Sequence, residues 1–405
     1  MVRACSQVRF THLFKLLLLY DKDNLLVFIT CSNIKYRTDI STAMVGGVIS
    51  DLYHAEERNT PMALFACGAL FGSGLGPMVS GFIAEDLNWR WVFWVQVITC
   101  AVTITVITIT FKETRGSILL SRKAAKLNAY YTSLEEAGHY GVSLDSGNTT
   151  QRIRWLVKAD EERESLSKMI SISVYRPFHL LMTEPVVFFF SLYVSFAWAV
   201  LYLTFSSIPL VFSATYNFTI SQCGAVFAAM SIGPCISTVI SIHSPSILNN
   251  YLARNPKPRS CLWVSLDPSC PEARLYFTCI ESILLPLGLF WFGYTLSPSI
   301  PWIVPSLAIG CATMGIYSIY LATFNYLADT YHRHASSALA AQSFCRNMLG
   351  GIFPLVTKPL FTGLGYRGAT SLLGGIALGL CAVPWVLVIY GPRIRARSKF
   401  ASGLA

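Results

Sequence analysis

Gly72-Ser-Gly-Leu-Gly-Pro-Met-Val-Ser-Gly81 lies inside a long apolar segment. A glycine every few residues plus a proline would break a helix in water. In a bilayer the same run is tolerable. Small residues let two helices approach closely, and neighbouring helices re-satisfy the backbone group that proline leaves unpaired. Asn88-Trp89-Arg90-Trp91-Val-Phe-Trp-Val95 follows at once and opens a second apolar segment.

The composition agrees. The 405 residues are 53% hydrophobic and 13% charged, against about 25% charged in soluble proteins. The net charge of +10 does not imply nucleic acid, because the basic residues sit in loops between apolar segments, where they orient a membrane protein. Many of the twelve cysteines lie inside apolar runs, where cysteine acts as a small hydrophobe. No Cys or His spacing suits a metal, and no phosphate-binding loop or hydrolytic cluster occurs. The expected partners are the lipid bilayer and a small solute, with no cofactor, no metal and no catalytic residue.

Apolar runs of spanning length are expected at 38–53 (short), 60–84 and 91–111. After a charged segment they return at 185–212, 222–242, 276–295, 302–328, 336–362 and 368–390. The predicted fold is therefore an all-α integral membrane bundle of about nine spans. Ser146–Thr150 reads as flexible and Gln151–Ile172 as a surface helix.

Lys and Arg concentrate in segments 53–59, 112–177, 243–274, 329–335 and 391–405, whereas 85–90, 212–221, 296–301 and 363–367 hold only Arg90 and Arg367. The positive-inside rule places the first group, with the basic tail 392–405, in the cytoplasm. Asn217-Phe-Thr219 is then an external glycosylation sequon, and Asn148-Thr-Thr150 an internal, silent one.

Gly72-x-x-x-Gly76-Pro77-x-x-x-Gly81 resembles the fifth-helix signature of the drug:proton antiporter branch of the major facilitator superfamily, with Ser80 in place of a usual glycine. Gly47-Val-Ile-Ser-Asp51 and Glu56-Glu-Arg58 resemble the flanking helix-four exit and cytoplasmic loop, and Trp89-Arg-Trp91 the start of helix six. Further on, Arg176-Pro-Phe-His179 through Glu184-Pro185, Pro271-Glu-Ala-Arg-Leu275, Tyr326-Leu-Ala-Asp329 and Arg346 with Phe353-Pro-Leu355 resemble fungal polyamine and multidrug members.

The resemblance implies two helical halves that rock about a central site and export drug-like or polyamine-like compounds against protons. It assigns 38–111 to helices four to six of a first half, 112–177 to a cytoplasmic central loop and 178–391 to a six-helix second half. Residues 1–37 match nothing in that pattern, so the first half is expected to be incomplete. The alternative is a truncated or degenerate non-transporting member. A monomer in the plasma membrane, rather than the vacuolar one, is expected.

The candidate residues follow. Gly72, Gly76, Pro77 and Gly81 form a packing face, and Arg58 with Asp51 a cytoplasmic gate. Glu281 and Arg346 are charges within spans, which mark function by default. Glu281 either carries a proton or substrate cation, or pairs with Arg274 or Lys257 at the inner interface. Lys358 snorkels from the outer end, and Glu184 and Asp329 fix loops at the inner ends. Trp198, Tyr202, Phe205, Trp291, Phe292 and Tyr294 either line a path for a flat or cationic solute or face lipid and neighbouring helices.

Overall fold

The computed structural model describes residues 49, 52–53, 57–110, 113, 116–139, 142–143, 150–151, 154–158, 166–254, 270–331, 334–398 and 400. Residues 1–37, most of the expected first span at 38–53, and Asp51, Asn148 and Lys257 lie outside that set.

The first two helices are α1 (Asn59–Asp86) and α2 (Trp89–Thr110). At 1.5 Å per residue, the 28 residues of α1 exceed the roughly 30 Å of a hydrocarbon core. The β-branched sequence of α2 stays helical. Thr99, Thr103, Thr105, Thr108 and Thr110 each donate their hydroxyl to the carbonyl four residues earlier. Those side-chain groups are thus satisfied without a partner helix, as an apolar solvent demands.

The polar segment contains α3 (Gly116–Glu136) and a two-residue antiparallel pairing of β1 (Val142–Ser143) with β2 (Thr150–Gln151). Arg154 forks onto Glu135 with two 2.9 Å bonds, and Asn128 and Trp155 exchange bonds of 2.9 and 2.8 Å. Of the surface helix expected over 151–172, Gln151 pairs in β2 and 154–157 are non-helical, whereas Lys158 and 166–172 are helical, the latter within α4 (Leu166–Thr183), which runs on into the apolar region.

The remaining elements form one bundle. They are α5 (Pro185–Tyr216), α6 (Ile220–Val226), α7 (Ala228–Arg254), a 3₁₀ turn (Pro271–Leu275), α8 (Tyr276–Glu281), α9 (Leu284–Thr295), α10 (Ile303–Tyr331), α11 (Ala335–Leu380) and α12 (Ala382–Arg397). Local chemistry explains their limits. Pro185 opens α5, where its missing N–H costs nothing. Asn217, at φ 53°, ends it in the left-handed conformation. Thr219 and Gln222 form a reciprocal capping box that starts α6.

The break between α8 and α9 falls four residues before Pro286, whose ring denies the Ser282 carbonyl its i+4 donor and leaves it only a 3.4 Å bond from the Leu285 N–H. The Cys381 thiol, 3.2 Å away, fills that place, and Tyr193 Oη lies 3.5 Å from the same sulfur.

By length and composition, seven of the described helices can cross a membrane, and the last of them runs from Ala335 to Arg397. As a straight rod its 63 residues would be roughly 95 Å long. Yet the rings of His334 and Phe400, at its two ends, are 5.5 Å apart. The chain therefore crosses, reverses at Gly365 (φ 68°, ψ 171°) and crosses back. Glycine accepts that positive φ without steric cost. The six lengths after the polar segment correspond to the six expected from sequence.

Contacts sort the chain termini of these helices into two ends. At one, Glu184 binds Tyr331 and Ser398, and Glu272 binds Arg395. At the other, Tyr216 binds the Ser297 carbonyl, and Phe218 packs on Trp302. The first set belongs to the basic segments and the second to the charge-poor ones. α5 and α10 hold the centre, with Tyr193, Tyr317, Tyr320, Tyr326 and Tyr331 almost fully buried.

Candidate functional site

The amino-terminal helix α1 lies lengthwise against α6, α7 and α10, and this seam is built on small residues. A Cβ added at Gly81 would sit 3.1 Å from Gly224 Cα and 3.2 Å from the Ile220 carbonyl. Seven residues earlier, Gly74 is buried against Ser231, whose hydroxyl donates to the Phe71 carbonyl at 3.0 Å. The two glycines share one face, as a seven-residue spacing on a helix requires. Cys67 and Cys235 bring their sulfurs within 3.9 Å across the same seam.

Polar clasps close the seam at both ends. At the basic end Arg58 Nη1 is 3.7 Å from Asp329 Oδ1, while Arg274 Nε donates to Asp329 Oδ2 at 3.1 Å. Asn59 donates to the Ser241 carbonyl at 3.1 Å and accepts from Asn325 at 3.3 Å. One turn further in, Tyr317 donates to the Ala63 carbonyl at 3.1 Å. At the opposite end the Glu85 carboxylate accepts from the Ser221 backbone N–H at 2.6 Å. Between the clasps, packing of small residues is joined by the isolated Ser231–Phe71 hydrogen bond and the Cys67–Cys235 sulfur contact, so the ends can part without breaking a continuous polar network.

A second feature lies inside the carboxy-terminal bundle. Arg346 is only 4% exposed. Its guanidinium carbon stands 4.7 Å from the Trp198 ring centre and 5.5 Å from that of Tyr320. The two rings meet each other at 4.8 Å. Its Nε and Nη1 are buried with no hydrogen-bond partner among the described residues, as are both amide atoms of Gln342 and the hydroxyls of Ser191, Ser195 and Tyr320.

The sequence-selected residues separate accordingly. Arg58 reaches the basic-end clasp, and its expected companion Asp51 lies outside the described residues. Gly81 reaches the seam. Gly72 and Gly76 stand on an exposed face of α1, where an added Cβ meets nothing within 4 Å. Pro77 lies within α1 beside them, and its carbonyl touches the seam at Gly224. Glu281 accepts from Ser318 of α10, and Arg274 pairs with Asp329 rather than with Glu281. Lys358 and Asn217 are exposed. Of the aromatic set, Trp198 holds Arg346, Phe292 is buried and Tyr294 is 59% exposed.

Sequence reasoning missed Gly74, Gly224 and Gln342. The seven-residue step from Gly74 to Gly81 was available as a signal. The role of Gly224, in a separate helix, was not.

Helices long and apolar enough to cross a membrane, running in alternate directions, define a multi-pass α-helical membrane protein. Residues 39–354 match the model of the Major Facilitator Superfamily. The chain belongs to this family. It is 34% identical over 358 residues to the MFS-type transporter paaT of Penicillium rubens, covering 88% of this chain and 60% of that protein. It is 31% identical over 361 residues to the efflux pump radE of Floropilus chiversii, covering 88% and 61%. It is also 30% identical over 363 residues to the ascochitine biosynthesis cluster MFS transporter of Didymella fabae, covering 89% and 65%. The chain thus spans about three fifths of the length of these relatives, which are named as transporters or pumps and not as enzymes.

Proposed function

We propose that this chain exports a small organic compound across a membrane by alternating access, with the proton gradient as the driving force. The seam of α1 against α6, α7 and α10 carries the proposal, because it joins small-residue packing to a separable clasp at each end. Opening the Arg58–Asp329 end while the Glu85–Ser221 end holds exposes one side; the reverse exposes the other. Rocking of one helical group against another is how this class moves a solute. The names of two relatives, an efflux pump and a transporter of a biosynthesis cluster, support export of a small organic product.

In this reading the basic end and the carboxy-terminus face the cytoplasm, in line with the Lys and Arg distribution. Residues 38–111 act as the moving amino-terminal part, 112–177 as the cytoplasmic linker and 178–391 as the second half. Glu281, held by Ser318 between α8 and α10, is the carboxylate that takes the coupled proton. The protein works as a monomer in the plasma membrane.

Cells expressing the full chain should accumulate less of a fluorescent organic dye than vector controls, and a protonophore should abolish the difference. Equal accumulation across a panel of neutral, anionic and cationic dyes refutes export. A difference that survives the protonophore refutes proton coupling.

A further inference from the structure

Arg346 presents a physical problem that the seam does not solve. A guanidinium placed at bilayer depth is costly unless paired, and no carboxylate is paired with it among the described residues. Glu281, the carboxylate within a neighbouring span, is engaged by Ser318 of α10, and Asp329 is held by Arg58 and Arg274. The rings of Trp198 and Tyr320 offset part of the charge through cation–π contact, a modest effect even when desolvated. They leave Nε and Nη1 unpaired. Nε and Nη1 lie on opposite sides of Nη2, and each shares with Nη2 an edge that can grip a carboxylate with parallel hydrogen bonds.

The neighbours extend the same chemistry. Gln342 is one helical turn from Arg346 on α11, so the two project from one face. Gln342 is fully buried, and neither its donor nor its acceptor has a partner among the described residues. Ser195, unpaired and fully buried, lies on the Trp198 face of α5. Buried polar atoms are ordinarily satisfied, so a cluster of unsatisfied ones around a buried cation is a prepared receptor. Gly350, one turn beyond Arg346, lets the Tyr202 ring lie close against α11; a Cβ there would meet that ring at 3.0 Å. The apolar surroundings are thus flat rings.

We propose that the Arg346 cluster binds an organic anion: a carboxylate carried on a flat, ring-containing body. The carboxylate sits on an edge of the Arg346 guanidinium, taking its bonds from Nη2 and from Nε or Nη1, with help from the Gln342 amide, and the ring lies among Trp198, Tyr202 and Tyr320. This names the substrate class of the proposed export and rests on that reading for movement, though not for binding. It also moves the expected solute away from polyamine-like cations, which the guanidinium would repel.

The test uses the purified full chain in detergent, with benzoate as probe and benzamide and benzylammonium as neutral and cationic controls. Benzoate should raise the thermal midpoint saturably, and the controls should not. Arg346→Met should weaken benzoate binding at least tenfold and, without ligand, unfold no earlier than the parent. Arg346→Lys should keep the preference for the anion but bind it more weakly, and Gln342→Leu should weaken it too. Should Arg346→Met fail to fold, the Lys and Leu variants decide.

Benzoate binding that is unchanged in these variants, or matched by benzamide or benzylammonium, overturns the site. Arg346-dependent benzoate binding by a chain that exports no dye refutes export and leaves the site standing. Dye export by a parent chain that binds no benzoate refutes the site and leaves export standing.

Discussion

Replacing Gly81 with leucine puts the seam under the most direct structural strain. The first added carbon alone would stand 3.1 Å from Gly224 Cα and 3.2 Å from the Ile220 carbonyl oxygen. Ordinary carbon contacts need about 3.5–4.0 Å, so the two backbones must part by roughly half an ångström before the rest of the side chain is placed. Overpacking of this kind costs about 1–3 kcal/mol. Removing a helical glycine returns at most about 1 kcal/mol. With the cost at the top of that range the net loss is about 2 kcal/mol, which lowers a thermal midpoint by about 4–8 °C in a domain of moderate size.

Gly76→Leu, five residues earlier in the same helix, is the control. Nothing lies within 4 Å of its Cβ position, so only the helix-propensity gain remains and the midpoint should hold or rise. Tryptophan fluorescence during heating of the purified protein measures both. Equal shifts for the two variants would refute the claim that Gly81, and not Gly76, forms the seam.

Other substitutions test separate parts. Asp329→Asn removes the anion shared by Arg58 and Arg274; a double-mutant cycle with Arg58→Ala should give a coupling of about 0.5–3 kcal/mol, and a coupling of zero would mean the clasp carries no energy. Glu272, 2% exposed and forked onto Arg395 at 2.9 and 2.8 Å, ties the returning α12 to the bundle. Glu272→Gln should therefore cost about 3–5 kcal/mol, seen as early unfolding and faster proteolysis of the carboxy-terminal tail. Glu281→Gln should keep the thermal midpoint while making dye efflux independent of an imposed pH gradient. Efflux that still follows the gradient would exclude Glu281 as the coupling group.

The crossing helices were largely legible in the sequence, because the bilayer allows few ways to bury a backbone. The expected span at 60–84 falls inside Asn59–Asp86, and those at 91–111 and 302–328 overrun Trp89–Thr110 and Ile303–Tyr331 by a single residue at one end. Helix ends were less legible: α5 runs on to Tyr216, since its end is set by Asn217 and the Thr219 capping box and not by hydropathy. The polar segment was misjudged where tertiary bonds decide, as when Asn128 and Arg154 hold 154–157 out of a helix.

The charges of the candidate site were visible as rare residues in apolar runs, and Arg346 and Glu281 both stood out. Their partners were not visible. Trp198 reaches Arg346 from a helix far away in sequence, and Asp329 is shared by two arginines from different segments. The glycine run showed close packing but not which of its glycines touch a neighbour. The answer depends on Gly224, in a helix whose orientation no local pattern encodes.

The central claim is that transport requires α1 to separate from α7, and the Cys67–Cys235 pair offers a reversible lock on that movement. With sulfurs 3.9 Å apart, mild oxidation should join them in the closed seam. In cells or proteoliposomes showing dye efflux, the oxidised protein should stop exporting, a reducing agent should restore the rate, and Cys67→Ser should be insensitive to both. Full-rate efflux by protein shown to be cross-linked at this pair would contradict the account.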